Sequence, residues 1–276
     1  MRYLNFSEIA IEIAREAGKM LSVHFNDVHS VRYKGDLNNT VSEVDQAVEN
    51  YITSQLHKFL PEHSIVGEEN GLHEYGRGFQ WHVDPLDGTN NYLHGFPYFC
   101  ISLGLVDTRL PEQEQLLCGV IYNPILNEMF WANKNDGAFL NGQRISVSNR
   151  STIETALIVI DFPYSCKKHP RTIIDNIERF MTTAQCIRTP GASALDLAHV
   201  SCGRCDAYVQ EGLESWDACA GTLLVREAGG IVSNFDGQFR SIPVEHIVAS
   251  NGFLHEQVID MVKGTYRTKE ASTKIT

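Results

Sequence analysis

The chain runs through two hydrophobic rhythms. Over the first twenty residues Phe6, Ile9, Ile13, Ala17, Met20 and Leu21 recur every three or four positions, with Ala10 and Ala14 beside them. That spacing predicts an amphipathic helix, and Asn5, three residues before Glu8, supplies a capping start. A second helical run spans Ser42 to Leu60, with Val44, Val48, Tyr51, Ile52, Gln55 and Phe59 along one face, and Pro61 stops it. The polar segment Lys34–Thr40 between them is predicted as a loop. The period then shortens. Ser64–Val66, Trp81–Val83, Phe99–Val106, Leu117–Tyr122 and Glu128–Ala132 are apolar or alternating runs bounded by Gly, Pro, Asn and Asp, the pattern of strands. The last two, joined by Asn123–Asn127, predict a hairpin, and Phe139–Gly142 marks a further turn.

After about Ser148, strands near Ala156–Ile160, Ala207–Val209, Ile231–Ser233 and His246–Ala249 alternate with helices. The helices fall near Pro170–Thr182, Ala192–Ser201, Trp216–Ala228 and Phe253–Val262. This order predicts helices layered on sheets, an α/β (α+β) chain of two closely packed halves. The expected division is residues 1–147, then 148–264, with a polar tail over 265–276.

Charge narrows the function. Of 276 residues, 23 are Lys or Arg and 34 are Asp or Glu, a formal balance of −11. An acidic surface repels nucleic acid and anionic membrane, so neither is expected as a direct partner. The longest uncharged stretch, Gly88–Val106, contains Asn90, Asn91, His94, Pro97 and Ser102 and reads as buried protein rather than a membrane span. The first helix carries Glu8, Glu12, Arg15 and Glu16 and does not read as a signal peptide. Seven scattered cysteines, an odd count, point to reduced thiols and a cytoplasmic setting. Cys202 and Cys205 have zinc-knuckle spacing without a second pair, and the eleven histidines form no paired metal motif.

The candidate chemistry lies in Trp81-His-Val-Asp-Pro-Leu-Asp-Gly-Thr-Asn90. Asp84 and Asp87 stand at the exit of a strand, where sites in layered α/β proteins gather. The amides of Gly88, Thr89 and Asn90 form the expected start of a helix, which favours phosphate. Alone, such a segment is most often a capped turn. Two more acids change the picture: Glu68 follows the run Ser64–Val66, and Asp217 lies in the first turn of a helix of small residues. Two carboxylates ~5 Å apart at an effective dielectric of ~20 repel by roughly 3 kcal/mol, so four acids brought together demand cations. Hard divalent ions such as Mg²⁺ accept oxygen donors of this kind and bridge an acidic protein to an anionic substrate.

At these residues the sequence resembles the inositol monophosphatase family, within the wider group that includes fructose-1,6-bisphosphatases and nucleotide 3′-phosphatases. The resemblance rests on Trp81–Asn91, on Trp216-Asp-Ala-Cys-Ala-Gly221 with Glu-Ala-Gly-Gly230 beyond, and on Gly67-Glu-Glu69, and it covers roughly Phe6 to Val262. It implies a layered αβαβα sandwich and two to three Mg²⁺ ions per subunit. Glu68, Asp84 and the carbonyl of Leu86 would hold the first ion, with Asp84 bridging to a second held by Asp87 and Asp217. A water activated there would be oriented by Glu68 and Thr89, with Asp45 behind them. Lys34 and Asn39 would border the site, Asn39 standing where many relatives have Asp.

On the substrate side the resemblance implies phosphoryl oxygens held by the amides of Gly88 and Thr89. The loop Gly191-Ala-Ser193 would contact a small phosphorylated polyol, as would Asp217. Ala192 stands where Ser or Thr commonly follows the Gly, and Gln210 where the family usually presents Glu, with Glu211 beside it. The implied reaction is hydrolysis of a phosphate monoester such as inositol 1-phosphate, sensitive to Li⁺, in a homodimer for which Tyr92–Phe99 is the candidate contact segment. A sugar bisphosphatase, a nucleotide phosphatase and an accessory protein of transcription complexes stay open.

Overall fold

The computed structural model describes residues 6–25, 31–33, 40–162, 170–239 and 246–263. Asn5, Lys34, Asn39 and the tail lie outside them. In chain order come α1 (Phe6–His24), the antiparallel ribbon of β1 (Val31–Tyr33) and β2 (Thr40–Ser42), and α2 (Glu43–Phe59). There follow β3 (Ser64–Gly67), β4 (Gly71–His73), β5 (Phe79–Asp87), α3 (Thr89–Leu93), β6 (Cys100–Asp107) and β7 (Leu116–Asn123). β8 (Glu128–Asn133), β9 (Gly137–Leu140) and β10 (Gln143–Ile145) complete the first half. The second half holds β11 (Leu157–Asp161), α4 (Pro170–Thr183), β12 (Cys186–Arg188), α5 (Ser193–Ser201), β13 (Ala207–Glu211) and α6 (Ser215–Glu227). It ends with β14 (Ile231–Ser233), β15 (His246–Ser250) and α7 over residues 255–263.

Two sheets carry these strands. One runs β10-β9-β8-β7-β6-β5-β3-β4, and the other β12-β11-β13-β15-β14. Side chains alternate between the faces of each strand, which sets the layers. Trp81, Val83, Ile101, Leu103, Leu105 and Val120 share a core with α1 and α2 on one face of the first sheet. Cys100, Val106, Ile121, Phe130 and Ala132 on the opposite face meet α5 and α6. Those two helices turn Leu197, Val200, Ala218 and Val225 toward Val159, Tyr208, Ile247 and Ala249 of the second sheet. Its far face buries Ile158, Ile160, Val209 and Val248 against Phe180 of α4 and Val258 of α7. The expected αβαβα sandwich results.

Glycine lets α6 press onto the first sheet. A Cβ at Gly104 would stand 2.6 Å from Cys219 Cβ, and one at Gly119 would stand 2.6 Å from the Ala220 carbonyl. The small residues of α6 thus bring its first turn to the end of β5.

Several expectations need correction. Thr40 belongs to β2 rather than to a loop, and Phe139 and Leu140 belong to β9, with the turn confined to Asn141 and Gly142. β1, β2, β4, β10 and β12 are three-residue strands, too short for an alternating pattern to register. Tyr92 and Phe99 are fully buried within the chain, packed edge to face at 4.9 Å. In that segment only His94, Phe96 and Pro97 are exposed.

Candidate metal centre

Three residues apart on a regular strand, Asp84 and Asp87 would point to opposite faces. A β-bulge prevents this. Asp84 pairs with Ser102 and Asp87 with Cys100, so three steps along β5 oppose two along β6. Pro85 suits the bulge because it has no amide to offer the ladder. The Leu86 amide donates to Asp84 Oδ1 at 3.0 Å, fixing the first carboxylate. Gly88 then takes φ 93°, and a Cβ there would lie 2.9 Å from the Tyr98 carbonyl. This sharp exit starts α3.

Asp217 arrives from the other half. It occupies the third position of α6 and accepts the Glu214 amide at 2.9 Å, one arm of a capping box. Two bonds tie this helix start to the sheet: Ser102 Oγ donates to the Trp216 carbonyl at 3.0 Å, and His82 Nδ1 meets Ser215 Oγ at 2.7 Å. The outcome is convergence. Carboxylate oxygens of Asp84, Asp87 and Asp217 all lie within 4.8 Å of one another.

Asp87 also caps α5. Its oxygens accept the amides of Ser193 at 3.0 Å, Ala194 at 2.8 Å and Leu195 at 3.4 Å, at the positive end of the helix. Glu68 follows β3, beside β5, with its amide on the Val83 carbonyl at 3.2 Å. It is half-buried and outside the 4.8 Å set, yet its charge acts on both Asp84 and Asp217. Asp45 is buried in the first turn of α2, and its charge reaches Asp84 too. Thr89 Oγ1 donates to the Leu86 carbonyl at 3.0 Å, leaving that oxygen one lone pair.

The acids strain against one another. Burial, then the charges of Glu68, Asp87, Asp217 and Asp45, hold the Asp84 carboxyl well above the usual range. Burial raises Asp87 to about 7 despite its amide partners. Asp217 is likewise pushed far up, by burial and then by Asp87 and Glu68. A hard divalent cation relieves both causes at once, and an all-oxygen donor set is the kind Mg²⁺ accepts. The residues fit the ion.

On the substrate side, Gly191 turns the chain with φ 84° and Ala192 is buried. Ser193 Oγ donates to Gln210 Oε1 at 2.9 Å, and the Tyr208 hydroxyl donates to the same oxygen. Ser193 and Gln210 therefore meet as a unit, both buried. Glu211 is half-buried beside them.

Sequence reasoning missed a second pair of acids. Asp161 on β11 is in register with Gln210 on β13, and its charge bears on the buried Asp196 of α5, whose carboxylate accepts the Tyr98 hydroxyl. Two neighbouring buried carboxyls disfavour each other's charge. Burial is the first cause raising both, so folding takes up a proton that the unfolded chain releases above about pH 4. Stability from such a group is complete below the unfolded pKa and is lost as pH rises through the folded one. An Asp196→Asn amide is uncharged at every pH. Between pH 5 and 8 the variant should therefore gain on the wild type by up to ~1.4 kcal/mol per pH unit. Urea midpoints measured across that range check this, and parallel curves would contradict it.

Fold and site together define an α/β protein of five layers with an acidic centre suited to a hard cation. The chain belongs to the inositol monophosphatase family, whose model matches residues 3–265. It is 40% identical over 255 residues to the Nus factor SuhB of Pseudomonas aeruginosa, covering 88% of this chain and 90% of that one. It is 36% identical over 262 residues to an inositol-1-monophosphatase of Synechocystis, covering 94% and 88%. Among solved structures, an IMPase of Thermotoga maritima superposes with a TM-score of 0.87 at 32% identity, over 96% of this chain and 99% of that one. Among the described residues no helix is long and apolar enough to cross a membrane.

Proposed function

We propose that this chain hydrolyses the phosphate monoester of a small polyol, inositol 1-phosphate first among them, with Mg²⁺ held by Asp84, Asp87, Asp217, Glu68 and the Leu86 carbonyl. The observation that carries this reading is the meeting of three carboxylates from two halves of the chain within 4.8 Å. When bound, the ions supply charge neutralisation at the phosphoryl group and an acidified water. The protein's own groups do the rest. The amide lock on Asp84, the α5 cap on Asp87 and the Glu214 amide on Asp217 hold each carboxylate in one direction before substrate arrives. Glu68 and Thr89, with Asp45 behind, orient the attacking water. The amides of Gly88 and Thr89 and the Gly191–Ser193 loop hold the substrate.

Gln210 bears on specificity. A carboxamide donates and accepts, whereas a carboxylate only accepts, so preference among polyol phosphates is expected to be relaxed. Phosphate release from inositol 1-phosphate, 2′-AMP, glycerol 2-phosphate and fructose 1,6-bisphosphate, with and without Mg²⁺ and with Li⁺, tests the reading. The expected outcome is Mg²⁺-dependent, Li⁺-inhibited release from several monoesters. Gln210→Glu should raise kcat/KM for inositol 1-phosphate over the others by about tenfold, the weight of one hydrogen bond to a charged group. No release from any monoester at millimolar Mg²⁺ would overturn the phosphatase reading.

A second reading is favoured by the 40% identical relative named a Nus factor: a role in transcription complexes. Such a role would act through the protein's surface and would survive loss of the carboxylates.

A further inference from the structure

We infer that Glu49 is a positioning residue for the cation centre, its carboxylate clamping the stretch of backbone that carries Glu68. The inference rests on the cation reading proposed above. Glu49 lies on α2 one helical turn after Asp45, so the two side chains share a face, and both are buried. Asp45 turns its charge on Asp84. Glu49 instead addresses the main chain: Oε2 accepts the Glu69 amide at 2.7 Å and Oε1 accepts the Asn70 amide at 2.8 Å.

Charge-assisted bonds of this kind are the strong ones, and here each ends on one of two successive amides just past Glu68. The near side of Glu68 is fixed as well, by its own amide on the Val83 carbonyl at 3.2 Å. Glu68 is thus held between β5 and α2. Contact is close enough to exclude a side chain at Gly67, where a Cβ would lie 2.4 Å from Glu49 Oε1. The Asn70 side chain adds a further bond to Asn50 of the same helix at 3.3 Å.

Both oxygens of this buried carboxylate are in use, each on one backbone amide, which offsets the cost of burying it. Glutamine matches its shape but offers one acceptor, and its amide group would face a backbone N–H. Glu49→Gln should therefore loosen the Glu69–Asn70 backbone and, with it, the aim of Glu68. Groups that orient metal ligands typically change affinity by 10–100-fold when altered.

Mn²⁺ binding followed by electron paramagnetic resonance on the full chain gives the test. Glu49→Gln should weaken Mn²⁺ binding at least tenfold, and the Mg²⁺ concentration for half-maximal phosphate release should rise by the same factor. Gly67→Ala keeps the charge but displaces the carboxylate, and it should reproduce the loss, which covers the case of a Gln variant that fails to fold. A folded Glu49→Gln or Gly67→Ala protein that binds Mn²⁺ as the wild type does overturns the inference while leaving the cation reading intact. A wild type that binds no Mn²⁺ overturns both.

Discussion

Asp84→Asn should cut phosphate release about a thousandfold or more, roughly 4 kcal/mol of barrier, while the chain stays folded. Asp84 is the acid on which every other carboxylate of the centre bears: Glu68, Asp87, Asp217 and Asp45 all raise it. Asparagine keeps the shape and can still accept the Leu86 amide that fixes Asp84 Oδ1 at 3.0 Å. It removes the charge that draws a cation into the middle of the cluster. The same change lowers repulsion in the cation-free protein, so its melting temperature without Mg²⁺ should equal or exceed that of the wild type. The two readouts move in opposite directions, which separates loss of chemistry from loss of fold. A variant keeping a tenth of the wild-type rate would contradict the assignment. A role in transcription complexes that persisted in this variant would belong to the surface instead.

Removing divalent ions should have the second-largest effect. Chelation is expected to abolish phosphate release, and returning Mg²⁺ at a hundred times its dissociation constant should add about 2.7 kcal/mol of stability. For a chain of this size that is a rise in melting temperature on the order of 5–10 °C. The direction follows from the cluster: carboxyls held far above their ordinary range by burial and by one another give up protons when a cation enters. Thermal melts with chelator, with Mg²⁺ and with Ca²⁺ read this directly. Asp84→Asn should lose most of the shift, and a wild type indifferent to Mg²⁺ would count against the centre.

What could be read from sequence divides along physical lines. Asp87, Glu68 and Asp217 were legible because each stands at the end of an element, with Asp84 three residues before the end of β5, and ends of elements in layered folds converge. The means of convergence was not legible. A period-two pattern sends Asp84 and Asp87 apart, and the one-residue bulge at Pro85–Leu86 that reunites them leaves no hydrophobic trace. Ser193 and Gln210 were singled out separately, yet their bond depends on two strands and a helix start meeting in space.

Acids that serve the backbone or one another were missed for a different cause. Glu49 lies on a helix face read only through its apolar members, and its i, i+4 spacing from Asp45 was the available signal. Asp161 and Asp196 sit inside apolar runs, where a lone acid reads as solvated until its partner is known. The layers themselves followed from alternation, since odd and even residues of β11 and β13 serve different cores.

The most direct measurement is anomalous diffraction from crystals grown with Mn²⁺. Strong anomalous density among the oxygens of Asp84, Asp87 and Asp217, with Glu68 reaching its edge, is the expected result. Crystals holding Mn²⁺ at millimolar concentration with no peak at those three carboxylates would contradict the account.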